Sequence, residues 1–266
     1  MVRWLFVLSM YIALLYPVKA GDSIFLVPHR AVYDLQLHDA DPVAGISRIS
    51  GKMVREFANS ACQDYTTYVH LEGKIYFGDE FALPMEWKSV DYETRDSRKF
   101  HFETNRRIGQ GPHESSEGVV ERTQDKVVIK MKKPDERSYE VSLANFPVMQ
   151  LKTIIQHAKS GRHFYQGNLV EDGKIVKVSV IIGEKVASSS SGVEKLANKS
   201  YWPLTISYFD DTGNGDGLPT YSVKSLLSED GVMGDHVIAY EDFSISAKLV
   251  HFEHIDYKKD SDKCEH

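Results

Sequence analysis

The sequence lacks the short motifs by which most enzymes are recognised. It contains no G-x-S-x-G nucleophile elbow, no H-E-x-x-H zinc helix and no glycine-rich phosphate loop. Its nearest approach to a phosphate loop, Gly109-Gln110-Gly111, has no third glycine and does not open a predicted helix. Without these motifs, the sequence gives no indication of a serine hydrolase, a zinc enzyme or a nucleotide-binding site. We therefore predict no catalytic residue, no cofactor and no metal ion.

Histidine is more frequent, with 11 in the chain, but the spacing favours ordinary surface or core histidines. His251 and His254 are three apart on a predicted strand, so they point to opposite faces, and His251 shares its face with Glu253. Zinc needs three or four convergent ligands, which this stretch does not supply. The acidic, glycine-rich segment 210–217 has Tyr221 where a calcium loop requires a glutamate. We interpret that segment as a connection between strands.

Cysteine is scarce, with only Cys62 and Cys264, which lie far apart in the chain. In an oxidising compartment an even pair of cysteines is most simply a disulfide. Two separate buried thiols are the alternative, and a metal site is disfavoured because neither residue belongs to a C-x-x-C pair. A bond would bring early and late strands together, so the sheet would have to curl round on itself.

Only one long apolar run is present, and it lies at the N-terminus. Arg3 precedes an apolar run over residues 4–16, and Val18-Lys19-Ala20 then matches the pattern that a signal peptidase reads. A membrane anchor is the alternative, but the run is shorter than the roughly 20 apolar residues that a span needs. We predict a signal peptide over residues 1–20, export, and no transmembrane segment after cleavage.

Acidic residues outnumber basic ones in the predicted mature chain. Removal of Arg3 and Lys19 with the signal peptide leaves 30 basic residues against 38 acidic ones, a net charge of −8. A field of that sign does not attract nucleic acid, so we predict no nucleic-acid partner. The length of residues 21–266 suits one all-β domain with a sizeable core.

Alternation of apolar and polar residues dominates the mature chain. Ala31, Tyr33 and Leu35 share one face of a predicted strand, and similar segments recur towards the C-terminus. Asp172-Gly173 and Asp230-Gly231 are typical of tight turns between strands. The polar, glycine-rich residues 105–116 are predicted to form a long exposed loop, and Gly51 to mark a bulge or a sharp bend.

One stretch after the N-terminus departs from this alternation and has a helical period. Pro147 suits its first position and Gly161 suits the position just past its end. Its apolar stripe consists of Val148, Leu151, Ile154, Ile155 and Ala158. The fold class predicted is therefore mainly β: a single curled antiparallel sheet, either an open barrel or a β-spiral, with one amphipathic helix packed on it.

The chain resembles the exported cell envelope integrity proteins of the EipB type, from Gram-negative bacteria. The segment 202–209 and the two cysteines are the most specific part of the resemblance. The residues that carry it are His29-Arg30-Ala31-x-Tyr33-x-Leu35, Gly51-x-Met53-Val54, Cys62-x-x-Tyr65-Thr66, Trp87, Trp202-Pro203-x-Thr205-Ile206-Ser207-Tyr208-Phe209, Asp230-Gly231-Val232, Tyr240-x-Asp242-Phe243 and Cys264.

This resemblance implies a periplasmic β-spiral whose first and last parts are joined by a disulfide between Cys62 and Cys264. It also implies a role in maintaining the cell envelope, with no catalytic residue to carry over. The chain departs from the family pattern at residues 188–192 and 213–217, and these departures affect loop shape.

Two functions of different classes are compatible with these observations. The first is a non-enzymatic periplasmic factor that binds an amphipathic envelope ligand or a periplasmic protein partner on the curled sheet. The alternative is a secreted hydrolase of an envelope substrate, built from dispersed catalytic residues. An apolar, aromatic lining of the concave face would favour the first, and two convergent carboxylates would favour the second.

The predicted signal peptide gives a direct test. Because Val18-Lys19-Ala20 is the cleavage site after the apolar run, the exported protein should begin at Gly21. N-terminal sequencing of protein released from the periplasm measures this. A mature protein that still carries Met1 would contradict export by cleavage.

The predicted disulfide gives a second test. Replacing Cys62 or Cys264 with Ser should lower the free energy of unfolding by a few kcal/mol, since the bond closes a loop of about 200 residues. Denaturant unfolding of the oxidised protein and both variants measures the loss. Free thiols in the unreduced wild-type protein would contradict the bond.

Overall fold

The computed structural model describes residues 24–59, 64–78, 81–187, 193, 196, 199–210 and 217–255. The predicted signal peptide, Cys62 and Cys264 lie outside these residues, as does most of the segment 210–217. The disulfide and the cleavage site therefore remain predictions.

Strands make up most of the described residues, which contain a single α-helix. A short 3₁₀ turn, Pro42–Ala44, follows the first strand. The elements in chain order are β1 His29–Ala40, β2 Ile46–Asn59, β3 Tyr65–Phe77, β4 Phe81–Glu93, β5 Lys99–Ile108, β6 Glu114–Arg122, β7 Lys126–Lys133, β8 Arg137–Ser142, α1 Pro147–Lys159, β9 Phe164–Glu171, β10 Lys174–Ile182, β11 Val186–Ala187, β12 Ser200–Asp210, β13 Tyr221–Ser228, β14 Met233–Ala239 and β15 Phe243–His254.

All the strands belong to one antiparallel sheet that does not close into a barrel. Its order is β8-β7-β6-β5-β4-β3-β2-β1-β15-β14-β13-β12-β10-β9, with β11 paired to β12. Most neighbours in the sheet are also neighbours in sequence, but β1 pairs with β15 and so joins the two ends of the described chain. The predicted fold class, a single curled antiparallel sheet, is confirmed.

The two faces of the sheet differ as the alternation predicts. On β1, Ala31, Tyr33 and Leu35 are at most 1% exposed and point to the inner face of the curl. The opposite face carries ion pairs across neighbouring strands, such as Arg30 with Glu56 at 2.9 Å. The inner face therefore forms the core, and the outer face is in contact with solvent.

Helix α1 packs on the inner face of the curl. Four residues of the predicted stripe are buried, namely Val148, Ile154, Ile155 and Ala158, whereas Leu151 is only partly buried. They contact the inner face of β2 through Phe57 and the inner faces of β10, β12 and β13 on the opposite side. One helix thus fills the space between two distant parts of the same sheet.

The first turn of α1 is capped by a side chain from the sheet. Phe146 precedes the helix and supplies no side-chain cap. Instead, Glu93 on β4 accepts hydrogen bonds from the backbone N–H groups of Val148 at 2.7 Å and Met149 at 3.0 Å. A carboxylate suits this position because the N-terminus of a helix carries partial positive charge and unpaired N–H groups. Burial nevertheless raises the pKa of Glu93 to about 6.

The two edges of the sheet overlap to give a spiral. On the β9–β10 hairpin, Val180 and Ile182 pack with α1, whereas Val170 and Ile175 point the opposite way. The latter pair contacts the inner face of β5 to β8, in a cluster that includes Phe102. Hence both faces of the β9–β10 hairpin are covered. Helix α1 packs on one face, and strands β5 to β8 pack on the opposite face.

The Asp172-Gly173 turn anchors this overlap. Asp172 has φ 46° and Gly173 has φ 74°, as a tight hairpin turn requires, so the predicted turn is confirmed. Thr104 Oγ1 donates to Asp172 Oδ1 at 2.7 Å, and the Tyr139 hydroxyl donates to the carbonyl of Gly173. A Cβ at Gly173 would also overlap the end of the Met131 side chain, which would have to shift, and the positive φ is the main reason for glycine here.

The loop predicted over residues 105–116 is wrong. Strand β5 continues to Ile108 and β6 begins at Glu114, so the connection is a short turn in which Gly109 has φ 63°. Arg106 pairs with Glu114 across the two strands. Polar composition was misleading here because this part of the inner face is itself polar, so polar residues lie on strands.

The bulge predicted at Gly51 is also absent. Gly51 pairs with Gly73 without a change of register, and the nearest irregularity lies between Ile46 and Arg48. A Cβ on Gly51 would lie 2.4 Å from the carbonyl oxygen of Glu72. Glycine is needed because the two strands approach closely, and not because an extra residue is inserted.

The packing of α1 leads to a prediction about stability. Ile155→Ala should lower the free energy of unfolding by about 2–5 kcal/mol, because Ile155 is fully buried and its removal leaves a cavity. Gln156→Ala is the matched control, since Gln156 is the next residue on the helix and is exposed. Urea unfolding of both variants measures the difference, and equal stabilities would show that α1 is not part of the core.

Candidate functional site

The inner face of the curl is exposed at one end. This rim end is where β3 and β5 finish and β4 begins. Phe81, Ile108 and Tyr240 lie there, and they are 55%, 59% and 44% exposed. Cross-strand pairs place Phe81 beside Phe77 and Ile108 beside Met85, which belongs to the buried core. These residues extend the apolar core to the surface, and we call the exposed three the inner rim.

A group of charged side chains lies deeper on the same inner face. The pairing of β1 with β2 puts Arg55 opposite buried Ala31, and the pairing of β3 with β4 puts Asp91 beside Thr67. Arg106 follows on β5, and the end of β9 adds two carboxylates. The inner polar cluster consists of Arg55, Asp91, Arg106, Glu171 and Asp172.

Direct contacts hold part of this cluster in place. Arg106 forms an ion pair with Asp172, and its guanidinium Cζ lies 5.5 Å from the centre of the Trp87 ring. Arg106 is about half exposed, with 46% of its side chain accessible. It therefore links the solvent-facing rim end to the more enclosed part of the cluster.

Tyrosines form the wall opposite β2 and β4. Tyr208 on β12 and Tyr221 on β13 stack with ring centres 4.3 Å apart and an interplanar angle of 11°. The Tyr221 hydroxyl donates a hydrogen bond to Glu171. Tyr240 of the inner rim lies 6.1 Å from Tyr221, so an aromatic surface runs from the rim to the polar cluster.

Burial changes the ionisation of these groups. Burial, followed by the charges of Asp172 and Glu93, raises the pKa of Asp91 to about 7, although Arg55 opposes the shift. Burial also raises the pKa of Glu171 and of Tyr208. A poorly solvated space, with like charges nearby, favours the neutral form of a carboxyl or phenol group, which explains these directions.

Two donors in this region have no hydrogen-bond partner within the described ranges. They are Nη1 of Arg55 and Nε1 of Trp87, and both atoms are buried. A buried donor without an acceptor costs roughly 1–3 kcal/mol, so such groups are uncommon in folded proteins. Both belong to inward positions of their strands, as the register shows.

The residues considered for metal binding are not brought together. His251 lies 3.7 Å from Glu253 on the same face, as predicted, and both are exposed on the outer side of the sheet. In the part of the chain that the structure describes, no three His, Cys, Asp or Glu side chains are placed to hold a metal ion.

Lys152, at the edge of the apolar stripe of α1, donates a hydrogen bond to the Tyr65 hydroxyl at 2.6 Å.

The inner polar cluster was missed by sequence reasoning. A signal was present, because Arg55 lies between Met53 and Phe57 at a position that alternation assigns to the inner face. Asp91 lies two residues before Glu93 on β4, so alternation puts both carboxylates on one face of the strand. The pairing of β4 with β3 shows that this is the inner face. A charged residue at an inward position is uncommon unless it is paired or functional, so this pattern identifies such sites.

The structure therefore defines a class of protein: a curled, beta-barrel-like sheet around one helix. Residues 20–256 match the model of the EipB-like family, and the chain belongs to that family. No helix among the described residues is both long enough and apolar enough to cross a bilayer.

One match in sequence and one match in structure support this assignment. The cell envelope integrity protein EipB of Brucella abortus (strain 2308) is 31% identical over 253 residues, which covers 92% of this chain and 90% of the relative. A crystal structure of a beta-barrel-like protein of domain of unknown function DUF1849 from Brucella abortus superposes with a TM-score of 0.82. That match has 31% identity and covers 88% of this chain and 100% of the other.

The raised pKa of Asp91 leads to a pH-dependent prediction. Because the folded pKa of about 7 exceeds the ordinary value of 3.8, the unfolded chain loses this proton first as the pH rises. Asp91 then lowers stability increasingly between about pH 4 and pH 7. Asp91→Asn removes this effect, so the stability of the variant relative to wild type should increase across that range.

Urea unfolding at several pH values measures this difference. Asp242→Asn is the control for the loss of one carboxylate, since Asp242 is exposed at the turn before β15. A difference between Asp91→Asn and wild type that stays constant over this pH range would contradict the raised pKa.

Proposed function

We propose that this protein is a periplasmic, non-enzymatic factor that maintains cell envelope integrity by holding an amphipathic envelope component on the inner face of its curl. The exposed inner rim is the observation that carries this proposal. The envelope role is supported by the relative that is named a cell envelope integrity protein, with 31% identity over most of both chains. Export to the periplasm is supported by the predicted signal peptide.

The rim has the chemistry of a binding surface. Phe81, Ile108 and Tyr240 point inward yet are about half exposed, which is unusual for large apolar residues continuous with a core. Ligand sites in proteins are mainly apolar, with a few convergent polar groups, and the rim and polar cluster together fit that description. An apolar tail on the rim would bury surface at about 25 cal/mol per Å².

Helix α1 supports the same interpretation by its position. It fills the part of the curl between β2 and β12, where Ile155 and Trp202 are buried. The apolar residues at the rim end are therefore not needed to cover the helix. Their exposure is consistent with a surface that receives another molecule.

A hydrolase is the second candidate, and the inner polar cluster is the observation that favours it. Asp91 and Glu171 have raised pKa values, as general acids often do. However, Glu171 accepts a hydrogen bond from Tyr221, and Asp172 is held by Thr104 and Arg106. These contacts assign two of the three carboxylates a structural partner. Product release from labelled envelope fractions that depends on Asp91 would favour the hydrolase.

The rim can be tested in cells. A deletion strain should become sensitive to detergents and cell-wall antibiotics, and wild-type protein should restore resistance. Phe81→Asp should fail to restore it, because a charge on the inner rim would have to be desolvated when an apolar group binds. Survival on detergent plates, at matched protein levels, measures this.

Val90→Asp is the matched control for that experiment. Val90 lies on the same strand as Phe81, is 43% exposed and points to the outer face. It should restore resistance fully. If both variants restored resistance equally, the rim would not be the functional surface.

A further inference from the structure

We infer that the inner polar cluster binds an uncharged, hydroxyl-rich headgroup, such as a sugar ring, through Arg55 and Trp87. This inference rests on the proposed function, because the apolar part of the same ligand would lie on the inner rim. It adds the chemical class of the headgroup and the residues that recognise it.

The two unpartnered donors define what the ligand must supply. Arg55 Nη1 and Trp87 Nε1 are buried and have no acceptor among the described residues. Burial lowers the pKa of Arg55, and Tyr33, Asp91 and Tyr208 are near enough for their charges to oppose that shift, so the guanidinium lies in the space enclosed by β1, β4 and β12. A ligand that presents oxygen acceptors to both strands would satisfy the two donors and remove the cost of leaving them unpaired.

The carboxylates on the same surface need hydrogen-bond donors from the ligand. Asp91 and Glu171 interact electrostatically with each other, so they lie on neighbouring parts of the cluster. A carboxylate can accept about four hydrogen bonds, more than Tyr221 alone supplies to Glu171. A hydroxyl group donates one hydrogen bond and accepts others, so several hydroxyls on one ring match donors and carboxylates together.

The charge of the cluster argues against an ionic headgroup. Two arginines, Arg55 and Arg106, face three carboxylates, and mutual repulsion with burial already raises the pKa of Asp91. An anion would add to that repulsion, and a cation would have to displace or oppose the two guanidinium groups. A neutral polar group brings no charge into a poorly solvated space, which avoids the desolvation cost of an ion.

Arg106 makes the rim and the cluster one continuous site. It contacts Asp172 at the turn and Trp87 on β4, and nearly half of its side chain is accessible. Tyr240 of the inner rim lies close enough for the charge of Arg106 to affect its pKa. A headgroup on Trp87 and a tail on Phe81 would therefore belong to a single ligand.

The test uses three amphiphiles that have the same tail and different headgroups. Trp87 and Trp202 are the only tryptophans after residue 20, so Trp202→Phe leaves Trp87 as the sole fluorophore of the mature protein. Octyl glucoside, octyl sulfate and octyltrimethylammonium are titrated below their micelle concentrations. Octyl glucoside should give a saturable change in Trp87 emission at concentrations at least about tenfold lower than the other two.

Arg55 variants then separate recognition of the headgroup from binding of the tail. Arg55→Lys keeps the charge and removes the Nη1 donor, so it should weaken octyl glucoside binding by about tenfold, as expected for one hydrogen bond from a charged group. Lys52→Met is the control, because Lys52 lies on the same strand and faces outward to Asp34. Trp87→Phe, followed by calorimetric titration, provides a second variant, which should also bind more weakly because it keeps an aromatic ring but loses the Nε1 donor.

The outcomes distinguish the two proposals. Equal binding of all three amphiphiles, or stronger binding of a charged one, would overturn the sugar inference and leave the holder proposal standing. Octyl glucoside binding that neither Arg55→Lys nor Trp87→Phe weakens would likewise overturn the inference alone. Binding of none of the three by the folded wild-type protein would contradict the holder itself.

Discussion

The burial of one helix inside the curl is the interaction on which the rest of the structure depends. A sheet of this width has an inner face too large to be covered by its own turns, and α1 supplies the missing apolar volume between β2 and β12. Glu93 fixes the start of the helix to β4, and Asn145 hydrogen-bonds to β9 through Asn168 and Val170. The helix therefore sets the distance between the two parts of the sheet that it contacts.

That arrangement divides the inner face into two regions with different chemistry. Around α1 the side chains are apolar and closely packed, as at Ile155 and Leu227. Beyond the helix N-terminus and towards the rim end, arginines, carboxylates and tyrosines replace them, and their hydrogen bonds are only partly satisfied within the described residues. Natural proteins accept the cost of partly satisfied buried groups mainly at sites that have a use for them. The functional proposals both follow from this division.

Local patterns were enough to predict the strands, the helix and the Asp172-Gly173 turn, since these depend on periodicity or on the two positive φ angles of a tight turn. The curl of the sheet was expected from the predicted disulfide and from the family resemblance. They were not enough for residues 105–116, because polar residues on a polar inner face resemble a loop. Gln150 was missed as well: it is 6% exposed and bonds to Asn145 and Tyr165, and these partners are brought together only by the fold. The inner polar cluster likewise joins residues from β2, β4, β5 and β9, and these come together only through the register of the sheet and the overlap of its two edges.

Site-specific photo-cross-linking in living cells would test the central claim, that the rim end of the inner face receives an envelope component. A photoreactive residue is placed at position 81 on the inner rim and, separately, at position 90 on the outer face of the same strand. Mass spectrometry of the purified protein then identifies any adduct. The account predicts an adduct with the mass of an amphipathic envelope molecule at position 81 and none at position 90. Adducts at position 90 alone, or at neither position, would contradict it.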